Sequence, residues 1–266
     1  MLRRIHDSKD HSDVAASLHS LAQVYRAKRR LDDCALLHEE SLAMLRRIHG
    51  SKDHSEVAAS LCSLAHVYDA QGRLDDSASL AEESVVMLRR IHGGKDHIDV
   101  AASLHSLAQV YRAQGRLDES MSLAEESLAM FRRIHGSKDH IDVAASLHIL
   151  AQVYDAQGRL DDSAPLAEES LAMLRRIHGS KDHSSVAASL HSLARVYEAQ
   201  GRLDESAPLS KESLAMLRRI HGSKDHIDVA LSLCSLAQVY RAQGRLDESA
   251  PLAEESMAMF RRIHVG

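Results

Sequence analysis

Nineteen histidines are the residues of this 266-residue chain best equipped to do chemistry. One pair, His49 and His54, stands five residues apart across a loop and recurs at every loop between copies. Imidazole pairs can hold a transition metal, but zinc asks for about four donors at bonds near 2 Å, and no cysteine or second pair is fixed nearby. Histidines at one position of neighbouring copies would stand a helix-packing step apart, on the order of 10 Å, too far to share an ion. The pair therefore reads as a helix-end histidine meeting its carbonyl ends plus a loop histidine, with no metal and no cofactor. Serine, histidine and aspartate are all plentiful, yet repetition alone produces that plenty. No nucleophile elbow, phosphate-cradling glycine loop or His-Glu-x-x-His segment is present, and no copy carries a chemically distinct insertion. The expectation is a protein that is not an enzyme. Cys34, Cys62 and Cys234 show no paired spacing and no basic cluster of their own, so they read as reduced thiols of a cytoplasmic protein.

The elements that must position these residues come from a repeat. Arg-Arg-Ile-His ends at His6, His49, His92, His135, His178, His221 and His264, a step of 43 residues without insertion or deletion. The copies run over about 7–49, 50–92, 93–135, 136–178, 179–221 and 222–264, and 1–6 reads as the end of a preceding helix B. In the third copy Val100, Leu104, Leu107, Ala108 and Tyr111 fall at i, i+4, i+7, i+8 and i+11, an apolar helical stripe. Gln114-Gly115-Arg116 interrupts it, with Gly115 placed as a left-handed cap. Leu117, Ser120, Ala124, Leu128, Phe131 and Ile134 form a second stripe, ended by Gly136-Ser137-Lys138-Asp139. Each copy is thus helix A of about 16 residues, a tight turn and helix B of about 18 residues. Asp139 with Asp142, and Asp53 with Glu56, stand at a capping-box spacing for the next helix A. Pro165, Pro208 and Pro251 occupy one position near the start of helix B, where a missing N–H costs little. Glu125-Glu126 and Arg132-Arg133 read as solvated outer-face charges. The fold expected is an all-α superhelix, a solenoid of six helix-turn-helix repeats forming one domain over 1–266.

Composition agrees. Hydrophobic residues make up 44% and aromatics only 3%, with no Trp, Asn or Thr, which suits close helix packing better than strands. The 33 basic and 38 acidic residues are interleaved, so no basic stripe for nucleic acid forms. No apolar run approaches the roughly 20 residues of a membrane span, and the N-terminus lacks the apolar stretch of a secretory signal.

Leu104-x-x-Leu107-Ala108-x-x-Tyr111-x-x-x-Gly115-x-Leu117 resembles the helix A and turn signature of the tetratricopeptide repeat. The long unit is similar to the kinesin-light-chain type, whose loop here reads Gly-Ser-Lys-Asp-His, Gly136 to His140, one residue longer than usual. In that family helix B carries alanine, a large aromatic and alanine where this chain has Ser120, Ala124 and Ser127; smaller residues there leave either closer helices or looser packing. The groove-facing asparagine of the family corresponds to His19, Cys62, His105, His148, His191 and Cys234. Helical spacing sets each of these on a second stripe of helix A: His19-Gln23-Arg26, Cys62-His66-Asp69, His105-Gln109-Arg112, His148-Gln152-Asp155, His191-Arg195-Glu198 and Cys234-Gln238-Arg241. The resemblance implies that this face lines a concave groove for a peptide or partner protein, with the varying charges setting register. A second reading makes the chain a structural self-assembler. The last helix B stops at His264-Val265-Gly266 and Met1–His6 is only a helix end, so such ends could stack head to tail, or the chain is a fragment of a larger array.

Overall fold

A computed structural model describes residues 10–222 and 224–265, with Val265 as backbone alone. The helix end expected over 1–6 and the terminal Gly266 lie outside the described residues. Among the described residues twelve helices follow one another: α1 Ser12–Ala27, α2 Leu31–His49, α3 Ser55–Ala70, α4 Leu74–Ile91, α5 Ile98–Ala113, α6 Leu117–His135, α7 Ile141–Ala156, α8 Leu160–His178, α9 Ser184–Ala199, α10 Leu203–His221, α11 Ile227–Ala242 and α12 Leu246–Val265. Among the described residues there is no strand, and no helix is long and apolar enough to cross a membrane. Odd-numbered helices are the A helices, each of 16 residues as the periodicity predicts. Even-numbered ones are the B helices, mostly of 19 residues.

The chain divides between Gly136 and Ser137 into two compact units. In the first, α1 to α6 pack in chain order, each against the next, and α3 also meets α5 directly. In the second, α7 to α12 do the same, and α9 touches both α7 and α11. Direct contact between A helices is confined, among the described residues, to these pairs, and each B helix between two A helices of a unit packs against both.

The predicted core stripes are where the burial lies. Val100, Leu104, Leu107, Ala108 and Tyr111 are all buried, as are Ser120, Ala124, Leu128 and Phe131. Ile134, expected on the same stripe, sits at its edge and is 37% exposed. The serines that stand where the family has alanine are polar, and each finds a partner on helix A. Ser120 Oγ donates to the Ala108 carbonyl at 2.7 Å and Ser127 Oγ to the Ala101 carbonyl at 2.8 Å. The same two bonds recur as Ser77 to Ala65 and Ser84 to Ala58 in the first unit, and as Ser206 to Ala194 and Ser213 to Ala187 in the second. Packing is thus close, with each small side chain satisfied inside the helix pair.

Three expectations about element ends need correction. The helix A cap is the loop histidine, not the aspartate before it: His140 Nδ1 accepts the Asp142 N–H at 3.3 Å, and His97 and His54 do the same for Asp99 and Glu56. Asp139 is taken by Arg176 through a two-pronged pair at 2.6 and 2.8 Å, and Asp96 by Arg133 likewise. The outer charges are likewise engaged, with Arg89 gripping both oxygens of Glu126 at 2.7 Å and Arg46 those of Glu83. Finally, Pro165, Pro208 and Pro251 are the sixth residues of their helices, beyond the first turn. Each removes one i to i−4 bond there, at an exposed position where water can take the freed carbonyl.

Candidate functional site

Helix A directs two stripes to different places. One is the buried core; the other is the set predicted to face a groove. None of that second set is fully buried. In the first unit His19, Gln23, Cys62, Asp69, His105, Gln109 and Arg112 are half-buried, while Arg26 and His66 are exposed. In the second unit His148, Gln152, Asp155, His191, Glu198 and Cys234 are half-buried, and Arg195, Gln238 and Arg241 are exposed.

Neighbouring members of the stripe bond along one helix and across copies. Gln109 Nε2 meets His105 Nε2 at 3.1 Å, and Gln152 meets His148 at 2.9 Å, the i to i+4 contacts the spacing implies. His66 Nε2 lies 3.0 Å from Ser106 Oγ on the next A helix. Arg195 reaches back to Asp155 at 3.3 Å. Cys62 Sγ sits 3.1 Å from Ser84 Oγ and 3.5 Å from Ser103 Oγ. Although His66 keeps part of its surface in solvent, the crowding of protein atoms around its ring desolvates it and holds it below its ordinary pKa, with the Arg26 charge adding to the effect and Asp69 opposing it. Burial and then Arg195 lower His191 in the same sense, while burial raises Glu198 against the pull of Arg195 and Arg241.

The A-helix face is hollowed in both units. In the second, a cavity of about 460 Å³ is lined by His148, Gln152 and His191 of the predicted stripe. Its apolar wall comes from Ala187, Ala188, Leu217 and Leu231, which the sequence reading did not select. Leu231 is 49% exposed and stands where the other copies carry alanine, for example Ala188; that break in an otherwise copied position was the available signal. In the first unit a hollow of about 450 Å³ runs past Cys62 and His66, with Glu56 and Asp99 at its rim. A smaller one of about 340 Å³ lies at His19. The last stripe position, Arg26, Arg112, Asp155, Glu198 or Arg241, lines none of these three hollows and sits toward the far end of helix A.

The described helix-end histidines do not behave as the sequence suggested. His49 and His54 stack with ring centroids 3.5 Å apart, as do His92 with His97 at 3.4 Å and His221 with His226 at 3.5 Å. His264, at the same position in α12, does bond a carbonyl, that of Phe260. A carboxylate two residues beyond the loop histidine closes each group: Glu56, Asp99 and Asp228. In the sequence this third donor is masked, because the carboxylate also stands at a capping spacing.

A tetratricopeptide repeat family profile matches residues 13–90, 57–133, 99–176 and 180–262, together most of the chain. The chain belongs to the tetratricopeptide repeat family. A search of curated protein sequences returned no match. Among solved structures, this tetratricopeptide repeat protein is similar to the nearly identical TPR-like repeats of a Podosopora anserina putative kinesin light chain. Identity there is 28% and the TM-score 0.63, over 80% of this chain and all of that one. BtubC (BKLC) from P. vanneervenii shares the fold at 20% identity and a TM-score of 0.72, covering 88% and 92% of the two chains. NprR in complex with its cognate peptide NprX shares it at 14% identity and a TM-score of 0.66, covering 98% and 74%. The helix pairs, their 43-residue step and their turn glycines are those of a helical-repeat scaffold.

Proposed function

We propose that this scaffold docks an extended peptide or partner segment on the A-helix face, without catalysis of its own. The observation that carries the reading is the hollow of the second unit, where an apolar wall at Leu217 and Leu231 meets polar groups of His148, Gln152 and His191. A pocket of that size takes one or two side chains, and the imidazoles and the amide beside it can meet backbone groups of an extended ligand. The Asp155–Arg195 pair and Glu198 add charges that discriminate sequences beyond the pocket. Solved proteins of the same fold support the class of ligand: NprR with its cognate peptide NprX, and a Rap protein with competence and sporulation factor.

The test is a peptide-display selection on the intact protein, with the winners measured by fluorescence anisotropy. Burying a leucine against a ligand is worth about 1.5–3 kcal/mol, so Leu231→Glu should weaken the best peptides at least about tenfold. Because Leu231 is exposed, the fold should tolerate the change. Peptides indifferent to both Leu231→Glu and His191→Ala would show that they bind elsewhere and sink the assignment.

A further inference from the structure

We propose that the His-His-carboxylate groups at the repeat junctions are binding sites for a divalent transition-metal ion, zinc foremost. Three such groups lie within the units: His49, His54 and Glu56; His92, His97 and Asp99; and His221, His226 and Asp228. In each, one nitrogen or oxygen from every residue lies within 4.8 Å of the others.

The distances are close to those a metal requires. Zinc bonds of about 2.0–2.1 Å in a tetrahedron put neighbouring donors about 3.3 Å apart. Asp99 Oδ2 lies 3.5 Å from His97 Nδ1 and 4.0 Å from His92 Nε2, and Asp228 stands at the same distances from His226 and His221. Glu56 is already at 2.9 Å from His49 Nε2. Closing the carboxylate–imidazole gaps by up to about 0.7 Å, together with a rearrangement of the two rings, completes a three-donor set and leaves a further position for water. Two imidazoles and one carboxylate favour a borderline transition ion over magnesium or calcium, which prefer oxygen donors throughout.

A second observation points the same way. His92 Nε2 and His221 Nε2 are shielded from solvent and have no hydrogen-bond partner, though each faces a carboxylate across 4.0 Å. At the fourth junction the carboxylate is replaced by Ser185, and there the need disappears. Ser185 Oγ lies 2.8 Å from His183 Nδ1 and 3.3 Å from His178 Nε2, bridging both imidazoles by itself. The two aspartate groups lack that bridge, which a bound ion would supply.

Binding has two structural requirements. The stacked rings lie within 11–13° of parallel, so they must fan apart for both lone pairs to meet one ion. The loop histidine must also release the long cap bond that Nδ1 accepts, 3.2 Å for Asp99 N–H, because that nitrogen has one lone pair to give. In return, the ion ties the C-terminal end of one helix B to the start of the next helix A. It clips one repeat to its successor beside the groove, where Glu56, Asp99 and Asp228 form part of the lining.

Zinc chloride titrated calorimetrically into the intact protein at pH 7.5, with cobalt chloride absorbance as a second readout, tests this. Three variants in one chain, Glu56→Gln, Asp99→Asn and Asp228→Asn, leave every histidine cap in place and should bind three fewer ions than the unaltered protein. Ser185→Asp should create one further site and raise the stoichiometry by one. Equal stoichiometry in the unaltered and triply substituted chains would overturn the proposal, and so would a Ser185→Asp chain that gains no ion. The gain-of-site variant keeps the test decisive if the triple variant folds poorly. Neither result depends on peptide binding.

Discussion

His38 is the residue where this chain departs most sharply from its own pattern. It is 1% exposed on α2, where the equivalent positions of later repeats are Ala81, Ala124 and Ala167. Its ring meets His19 edge-on at 5.0 Å, and its Nδ1 is buried without a partner. Burial, followed by the nearby His19 and Arg26, lowers its pKa to about 4 from 6.5. Between those values the unfolded chain binds more protons than the folded one, so stability rises with pH through the window. His38 is thus compatible with full stability above about pH 6.5, and that stability is lost as pH falls toward 4. From pH 7 to pH 4.5 the loss should be about 2 kcal/mol. Urea titrations at the two pH values check it: His38→Ala should show a markedly smaller acid loss, and an identical loss in both proteins would refute the assignment. Stripe residues such as His105 were legible because helical spacing fixes their face. His38 was not, because nothing in the sequence of one helix says that it lies against the His19 of another.

At the scale of the element, the helices were legible and their ends were not. Helix A follows from the spacing of Val100, Leu104, Leu107 and Tyr111, which no strand could bury on one side. Gly115, at φ +76°, ends it as predicted, with Arg116 N–H returning to the Tyr111 carbonyl at 2.9 Å. The cap was misassigned because an aspartate is the better-known capping residue, while the arginine that claims it lies 37 residues away. The first repeat tests the turn. It carries Lys28-Arg29-Arg30 in place of Gln-Gly-Arg, and Arg29 is held at φ +57°, the one described non-glycine residue with positive φ. A side chain there costs about 1–2 kcal/mol, while glycine gives back part of that through the entropy of the unfolded chain. Arg29→Gly should therefore stabilise the protein by about 0.5–1 kcal/mol, read as a higher urea midpoint. A lower midpoint would mean that Arg29 makes contacts worth more than its strain.

At the scale of the whole molecule, identical copies turn single contacts into a series. Arg46 to Glu83 and Arg89 to Glu126 join successive B helices in the first unit, and Arg175 to Glu212 and Arg218 to Glu255 do so in the second. Each partner is a little over 40% exposed, so solvent screens the pair and each contributes only about 0–1 kcal/mol. The sequence could not show these pairs, because the 43-residue period fixes which residues are equivalent but not the lateral offset between stacked helices. Their summed effect is measurable because stability in such arrays adds over repeats and the interfaces between neighbours. Raising sodium chloride from 0.1 to 1 M shortens the screening length from about 10 to about 3 Å. If the pairs act as described, that change lowers the urea midpoint of the unaltered protein. A chain with Arg89→Gln, Arg175→Gln and Arg218→Gln should start less stable at low salt, by up to about 3 kcal/mol, and lose less on salt addition. The difference between the two salt responses isolates the arginine–glutamate pairs, since the general effect of salt on apolar burial is common to both chains. Parallel responses would place the cohesion of neighbouring repeats in the buried stripes alone.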